Sequence, residues 1–543
     1  MFFILFIQTS YSQLSNPSSV NQQFVTYQKQ SNFIHEFNVP LHGQIGLKGI
    51  TTDLQGNPWF YYQNNNQSQL MKFNLASRTF NSYHIEGKTI TNTPVINLAG
   101  GQVIYDQKRN IIWFTDARVN ALGNLNISDS KIELIKIPSN NSGIMGIVLS
   151  PDNKTIWFSE IIGNKIGSYD IESNTMTEYP TGDFTGPTLL LFDPEGQLWV
   201  TLSYSNSVLK VQPWLLVPES RVGGITEIKL EKPDTFSPFG VTISNNSNNS
   251  MIYVSDHGSS RVIDSILASE LRNYVSYWTS PSQAYPASLP SQVVSDKFGN
   301  IYFPEHGGNK ISKISKDGLM TEYDIPTGPL ATTVYLAASP DGSKVWFTEW
   351  ASNRIAYLDN MLKVPLDLKI HSTSPVTLNA NQSHQLDFIV TKVNNSSSRI
   401  LSLNEIETSV VGMTDSGLQG LSYVAKPQRF NLTNASTING TVDLTVDPNQ
   451  AVAGTYTIMP RISTLENDNL TVSLLFPQMI KVDVPVHKAQ LQKLPASESN
   501  QPSSNVILIL RDIARYASIS VALTLIGYLI YRRINQSKLK INK

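Results

Sequence analysis

One pattern constrains this chain more than any other: an aromatic residue followed by an apolar or aromatic one, returning at near-regular intervals. It stands at Trp59-Phe, Trp113-Phe, Trp157-Phe, Trp199-Val, Tyr253-Val, Tyr302-Phe and Trp346-Phe, 42 to 54 residues apart. An apolar run such as Gly146-Ile-Val-Leu or Gly240-Val-Thr-Ile precedes the anchor, and a turn such as Pro151-Asp-Asn or Pro340-Asp-Gly separates the two. Seven residues past the anchor stands Asn66, Asn120, Asn164, Asn206, Asn309 or Asn353, with Ser260 in the fifth unit. Asn turns a chain readily, because its side chain bonds to nearby backbone. Another strand begins two residues later, and Met176-Thr-Glu-Tyr-Pro, Ile225-Thr-Glu-Ile and Met320-Thr-Glu-Tyr-Asp close three of the units.

A four-strand unit cannot bury its own faces, and repeating it predicts a ring. The expected fold class is therefore all-β, with a seven-bladed β-propeller over 33–362. The seventh unit lacks a fourth strand, and Phe33-Ile-His-Glu-Phe-Asn-Val-Pro40 has its pattern. That N-terminal strand is expected to complete the last blade and remove an open edge.

Beyond the repeat the alternation changes, as in Leu366-Asp-Leu-Lys-Ile, Gln385-Leu-Asp-Phe-Ile-Val and Gly454-Thr-Tyr-Thr-Ile. These strands suggest an immunoglobulin-like β-sandwich over 363–488, acting as a stalk. Residues 489–504, rich in Gln, Ser and Pro, read as a linker. Residues 514–531 are apolar apart from Arg515, long enough for a transmembrane helix against a ~30 Å hydrocarbon core. Arg532, Arg533, Lys538, Lys540 and Lys543 follow with no acid among them. The positive-inside rule makes 532–543 a cytoplasmic tail and everything before the helix extracellular. The apolar start Met1-Phe-Phe-Ile-Leu-Phe-Ile reads as a signal peptide over 1–13. Sequons from Asn66-Gln-Ser to Asn469-Leu-Thr fit a glycosylated exterior at a cell membrane.

Composition then removes function classes. With 41 Lys+Arg against 42 Asp+Glu, no field draws nucleic acid. With no Cys, disulfides, thiolate metal sites and a Cys nucleophile are excluded. No phosphate loop, Ser-His-Asp spacing or basic-aromatic track appears.

Three residues past each anchor stand Tyr62, Asp116, Glu160, Leu202, Asp256, Glu305 and Glu349. Five of these seven are acidic, and strand alternation places them at one rim of the channel. Like charges converging there would repel unless a cation joined them, and oxygen donors favour Mg²⁺ or Ca²⁺. The alternative is a solvated acidic rim. His257 and His306 each follow a rim acid and precede Gly in consecutive units. Either could serve as a general base, His306 the better placed, or could be a polar loop residue in a glycine turn.

The repeat block, over about residues 33–360, resembles the streptogramin (virginiamycin B) lyases, whose blades repeat Trp-Phe-Thr-Glu-x-x-x-Asn-Lys-Ile-Gly-Arg-Ile. The copies here are Trp157-Phe-Ser-Glu-Ile-Ile-Gly-Asn-Lys-Ile-Gly, Trp346-Phe-Thr-Glu-Trp-Ala-Ser-Asn-Arg-Ile-Ala and Tyr302-Phe-Pro-Glu-His-Gly-Gly-Asn-Lys-Ile-Ser. The resemblance implies a metal-dependent lyase that opens an ester-linked cyclic peptide without water. In it a histidine base removes a proton α to a carbonyl while Mg²⁺ stabilises the charge. The family's histidines begin innermost strands, and the matching positions here are Phe239, Ser291 with Gln292, and Tyr335. Two further functions suit such a chain: a non-catalytic surface receptor or adhesion propeller binding a glycan, peptide or protein, and a calcium-dependent lactonase.

Overall fold

The computed structural model describes residues 31–483 apart from 42–45, 65–66, 90–99, 219–222, 231–236, 246–249, 270, 272–273, 283, 286, 329–330, 372–374, 380–381, 394–400, 413–419, 448–450, 452 and 467–468. The expected signal peptide, linker, transmembrane helix and tail lie outside the described residues. Among the described residues no helix is long and apolar enough to cross a membrane.

The repeat becomes a series of four-stranded antiparallel sheets, here called blades 1 to 6, over 47–85, 103–136, 144–180, 187–229, 238–278 and 294–324. Blade 7 takes Leu336–Ala338, Lys344–Glu349 and Arg354–Asp359 from one end of the repeat and Ile34–Asn38 from the other. Ile34 pairs with Leu358 and Asn38 with Arg354, so the N-terminal strand does complete the last blade. Phe37 packs its ring 4.8 Å from Phe73 and 6.2 Å from Trp346. Leu47–Thr52, innermost in blade 1, packs against the innermost strands of both blade 2 and blade 7.

Each residue of the repeat motif has a separate task. The anchors Trp59, Trp199 and Trp346 are wholly buried. In blades 2 and 3 the next aromatic lies over a glycine: a Cβ on Gly123 or Gly167 would lie 2.1 Å from the ring of Phe114 or Phe158. The hydroxyl that follows reaches the neighbouring blade. Thr115 donates to the Met145 carbonyl at 2.8 Å, Thr201 to Phe239 at 2.7 Å and Thr348 to Lys48 at 2.5 Å. Ser159 and Ser255 donate likewise to the carbonyls of Thr188 and Ser291. The recurrent Asn120, Asn164, Asn206, Asn309 and Asn353 all have φ between 52° and 56°, the left-handed turn that Asn tolerates better than most residues. Three of them also staple the next blade, with Oδ1 of Asn120 accepting from Ser142 N–H at 2.9 Å, Asn164 from Thr185 N–H at 2.9 Å and Asn309 from Ala331 N–H at 2.7 Å.

Register gives the ring a front and a back. Innermost strands begin and second strands end at the front, where Pro238 faces Asp256 and Leu47 faces Tyr62.

The region after the repeat forms two sheets around a core that includes Leu368, Phe388, Val442, Ile406, Ile462 and Ile480. One sheet holds Leu366–His371, Ser383–Lys392, Thr437–Val446 and Leu421–Lys426. The other is not separate from the repeat: Asn469–Leu475 pairs with Met320–Asp324, the outer strand of blade 6. Blade 6 therefore continues through Gly454–Glu466 into the second module as one sheet. Its seam is polar and buried. Arg461 lies 3.2 Å from Glu322, whose carboxylate oxygens each accept from Ser280 Oγ at 3.0 Å. Tyr323 opposes Val472 and Met320 opposes Leu475, so the added strand runs front to back. Two more antiparallel steps lead to Gln478–Asp483, which runs the same way. Arg461 is level with Leu475 but Gly454 with Val482, seven residues farther back. At about 3.3 Å per residue that is on the order of 23 Å.

Candidate functional site

Immediately after the second strands, the front carries Gln63, Ala117, Ile161, Ser203, His257, His306 and Trp350. Backbone bonds fix the two histidines, His257 N–H donating to Ser237 at 3.1 Å and His306 N–H to Leu289 at 3.2 Å. Their ring centroids are 5.9 Å apart and nearly perpendicular. His257 Nδ1 lies 3.2 Å from the Pro290 carbonyl, a contact that requires the Nδ1–H tautomer. Its ring also leans on Phe239, at 5.8 Å. His306 Nδ1 is buried and, among the described residues, has no hydrogen-bond partner. The two residues are only 7% and 6% exposed, so they are not solvated loop residues. Burial pushes His257 down to about 4 and His306 to about 3, the latter helped by the neighbouring imidazole. Both rings are therefore neutral over ordinary pH.

The five carboxylates take a different place from the one alternation suggested. Asp116, Glu160, Asp256, Glu305 and Glu349 are all fully buried, each held within or between blades. In three blades they belong to an acid–base–acid row across strands two, three and four. Glu160 faces Lys165, Glu305 faces Lys310 and Glu349 faces Arg354. On the fourth strand, Glu178 lies 2.6 Å from Lys165 and Glu36 3.9 Å from Arg354, while Glu322 presses on Glu305. Asp256 is 3.4 Å from Arg261 and also bonds Ser259. Asp116 reaches back to Ser68 of blade 1 at 2.7 Å, with Arg118 at 3.6 Å. The five acids are thus drawn into or between the blades rather than meeting in the channel. A base at the start of the third strand of blades 3, 5, 6 and 7 draws the acid into the blade, and blade 2 substitutes Arg118. Among the described residues no group of three His, Asp or Glu could hold a metal ion. These carboxylates do not fit a shared Mg²⁺ or Ca²⁺ site.

One base between two acids leaves the inner acid short of charge compensation. Neither oxygen of Glu160 is hydrogen-bonded among the described residues. Burial, then the Glu178 charge, raises its carboxyl to about 8. Burial and a neighbouring Glu raise Glu305 and Glu349 as well. The folded state then keeps a proton that the unfolded chain loses near pH 4.5, so this stability is full below that value and lost as pH rises toward 8. Glu160→Gln mimics the protonated form in both states. It is expected to match wild type in thermal melts near pH 4.5 and exceed it above pH 8. The difference should grow by up to about 1.4 kcal/mol per pH unit between. Parallel pH profiles for the two proteins would refute the assignment.

Sequence reasoning missed the hydroxyl contacts between blades, although Thr115, Ser159, Thr201, Ser255 and Thr348 all precede a strand-end residue at constant spacing. It also missed Lys48, Tyr61 and Gln63, where blade 1 departs from that motif.

Residues 32–262 match the family model described as the virginiamycin B lyase family. Among solved structures, a streptogramin B lyase is 21% identical, with 60% of this chain and 96% of that one covered at a TM-score of 0.49. A virginiamycin B lyase from Staphylococcus aureus is also 21% identical, covering 60% and 98% at the same score. Hydrazine synthase from Kuenenia stuttgartiensis is 13% identical, covering 59% and 97% at 0.46. No curated protein matches the chain. Over residues 32–262 the chain carries a virginiamycin B lyase-like propeller.

Proposed function

We propose that the chain is a membrane-anchored, extracellular seven-bladed propeller on an immunoglobulin-like stalk. In this reading it acts as a lyase on an ester or cyclic peptide-like substrate, with His306 as its base. The observation that carries the reading is the buried His306 imidazole whose Nδ1 has no partner among the described residues. An unsatisfied buried nitrogen costs free energy unless something uses it. A neutral imidazole can accept a proton, and burial keeps the His306 ring in that neutral form. The Pro290 carbonyl fixes His257 as its Nδ1–H tautomer. No step here passes through the Mg²⁺ or Ca²⁺ that the resemblance implies. A solved relative of the lyase type is a catalytically inactive variant with quinupristin, which makes that cyclic depsipeptide the first substrate to offer.

Ring-opening of quinupristin, followed by mass spectrometry, tests the reading. His306→Ala is expected to lower kcat by about 10²–10⁴ with an unchanged melting temperature, the usual share of a general base. Absence of turnover by wild-type protein on this and related cyclic esters would overturn it.

One observation favours a second reading, a receptor or adhesion propeller without catalysis. The innermost-strand positions that match the family's histidines hold Phe239, Ser291 with Gln292, and Tyr335. Saturable binding of a glycan or peptide that survives His306→Ala would support it. A calcium-dependent lactonase shares the architecture but has no observation of its own.

A further inference from the structure

Blade 1 departs furthest from the repeated motif. Where blades 2, 3, 5 and 7 place a hydroxyl and then an acid, it has Tyr61 and Tyr62, followed by Gln63. Departures from a rule that a sequence otherwise repeats tend to mark functional positions. A second departure lies beside it. The five carbonyls that accept the inter-blade hydroxyls mark equivalent innermost positions around the front. Gly101 and Val334 take the two remaining places, accepting from Gly49 N–H and Gln292 N–H. Of these seven positions, Lys48 alone carries a titratable side chain.

Lys48 is 4% exposed, and its Nζ donates to Gln63 Oε1 at 3.1 Å. Gly101, just ahead of blade 2, is packed directly under both side chains. A Cβ there would lie 2.6 Å from Lys48 Cδ and 2.6 Å from Tyr61 Cδ1, so the amine stem and the phenol meet over a bare backbone. Gln63 Nε2 is buried without a partner among the described residues, and the Tyr61 hydroxyl is buried beside Ser68 and Asp116. The charged groups facing this junction come from blade 2. Asp116 is bonded to Ser68 and lies near Arg118, and from blade 7 only the Thr348 hydroxyl reaches the Lys48 carbonyl. The set comprises one amine and two buried hydrogen-bond donors.

We propose that Lys48 is a reactive amine that captures a small aldehyde or ketone as an imine at the junction of blades 1 and 2. Tyr61 and Gln63 donate to the carbonyl oxygen. The nitrogen lone pair attacks the carbonyl carbon, the oxygen takes up both amine protons, and it leaves as water while the C=N bond forms. Burial brings the Lys48 ammonium down to about 7 against the pull of Asp116, so neutral amine is present at neutral pH. This site is independent of His306.

Full-length protein treated with glyoxylate and cyanoborohydride at pH 7 supplies the test. Hydride reduction of the imine leaves carboxymethyl-lysine, which peptide mapping locates without any substrate turnover. Lys48 is expected to be modified about tenfold or more above the exposed Lys131 and Lys229, since an ordinary lysine is almost wholly protonated at that pH. Gln63→Glu places a carboxylate beside the ammonium and is expected to suppress labelling of Lys48 at pH 7 and restore it at pH 10. Labelling of surface lysines with Lys48 untouched would overturn the proposal. So would labelling of Lys48 that Gln63→Glu leaves unchanged. If Lys48→Met does not fold, mapping on wild-type protein still decides.

Discussion

Arg461→Ala is expected to cost about 3–5 kcal/mol of folding stability, the range for removing one partner of a buried ion pair. Arg461 lies 3.2 Å from Glu322 and donates to Ser473 Oγ at 2.9 Å. The Glu322 side chain is fully buried and, among the described residues, would keep the hydroxyl and the backbone N–H of Ser280 as its hydrogen-bond donors. Glu305 already presses on it from the inner side. Without the guanidinium, the buried Glu305 and Glu322 are left with the Lys310 ammonium between them. Adding Glu322→Gln to Arg461→Ala removes the stranded charge and is expected to recover about half of the loss. Urea denaturation of the two variants measures both numbers. A loss below about 1 kcal/mol for Arg461→Ala, the range of an exposed pair, would show that the seam is solvated.

Deleting residues 1–40 is expected to abolish cooperative unfolding. The deletion strips Ile34–Asn38 from blade 7 and leaves Arg354–Asp359 as an unpaired edge. It also removes Phe37, packed on Phe73, Trp346 and Tyr357, and Phe33, packed on Tyr323. Those contacts join the first blade and the sixth to the seventh. An unpaired edge also invites association with other chains. Circular dichroism melts and size exclusion should show a broad transition and soluble aggregates. A monomer that melts at the wild-type temperature would mean that the ring closes without this strand.

The repeat was legible because one packing task recurs: Trp157 and Trp346 fill the same space in different blades, and such repetition survives in the letters. The closing strand was legible for the same reason, since Phe33 to Pro40 copies Thr-Glu-Tyr-x-x-Pro. The acids were found but misplaced. Alternation along a strand assigns a side, whereas the row Glu160, Lys165 and Glu178 is set by pairing across three strands. The pairing of blade 6 with Asn469–Leu475 was not legible, because a strand's outer edge looks the same in sequence whether it meets water or another module. His257 and His306 were singled out from their Asp-His-Gly and Glu-His-Gly settings. Their contact depends on two neighbouring blades and has no local signal.

The continuous sheet through blade 6 also has a mechanical consequence. Gln478–Asp483 points away from the front, and tension applied beyond Asp483 would act along the strand axis. Hydrogen bonds of antiparallel neighbours loaded that way resist together, in shear, whereas bonds peeled from one end fail singly. The pull passes from Gln478–Asp483 to Gly454–Glu466, then to Asn469–Leu475 and into Met320–Asp324. Force would therefore enter the ring through the outer strand of blade 6 and reach the His306 strand end only after the whole blade has shared it.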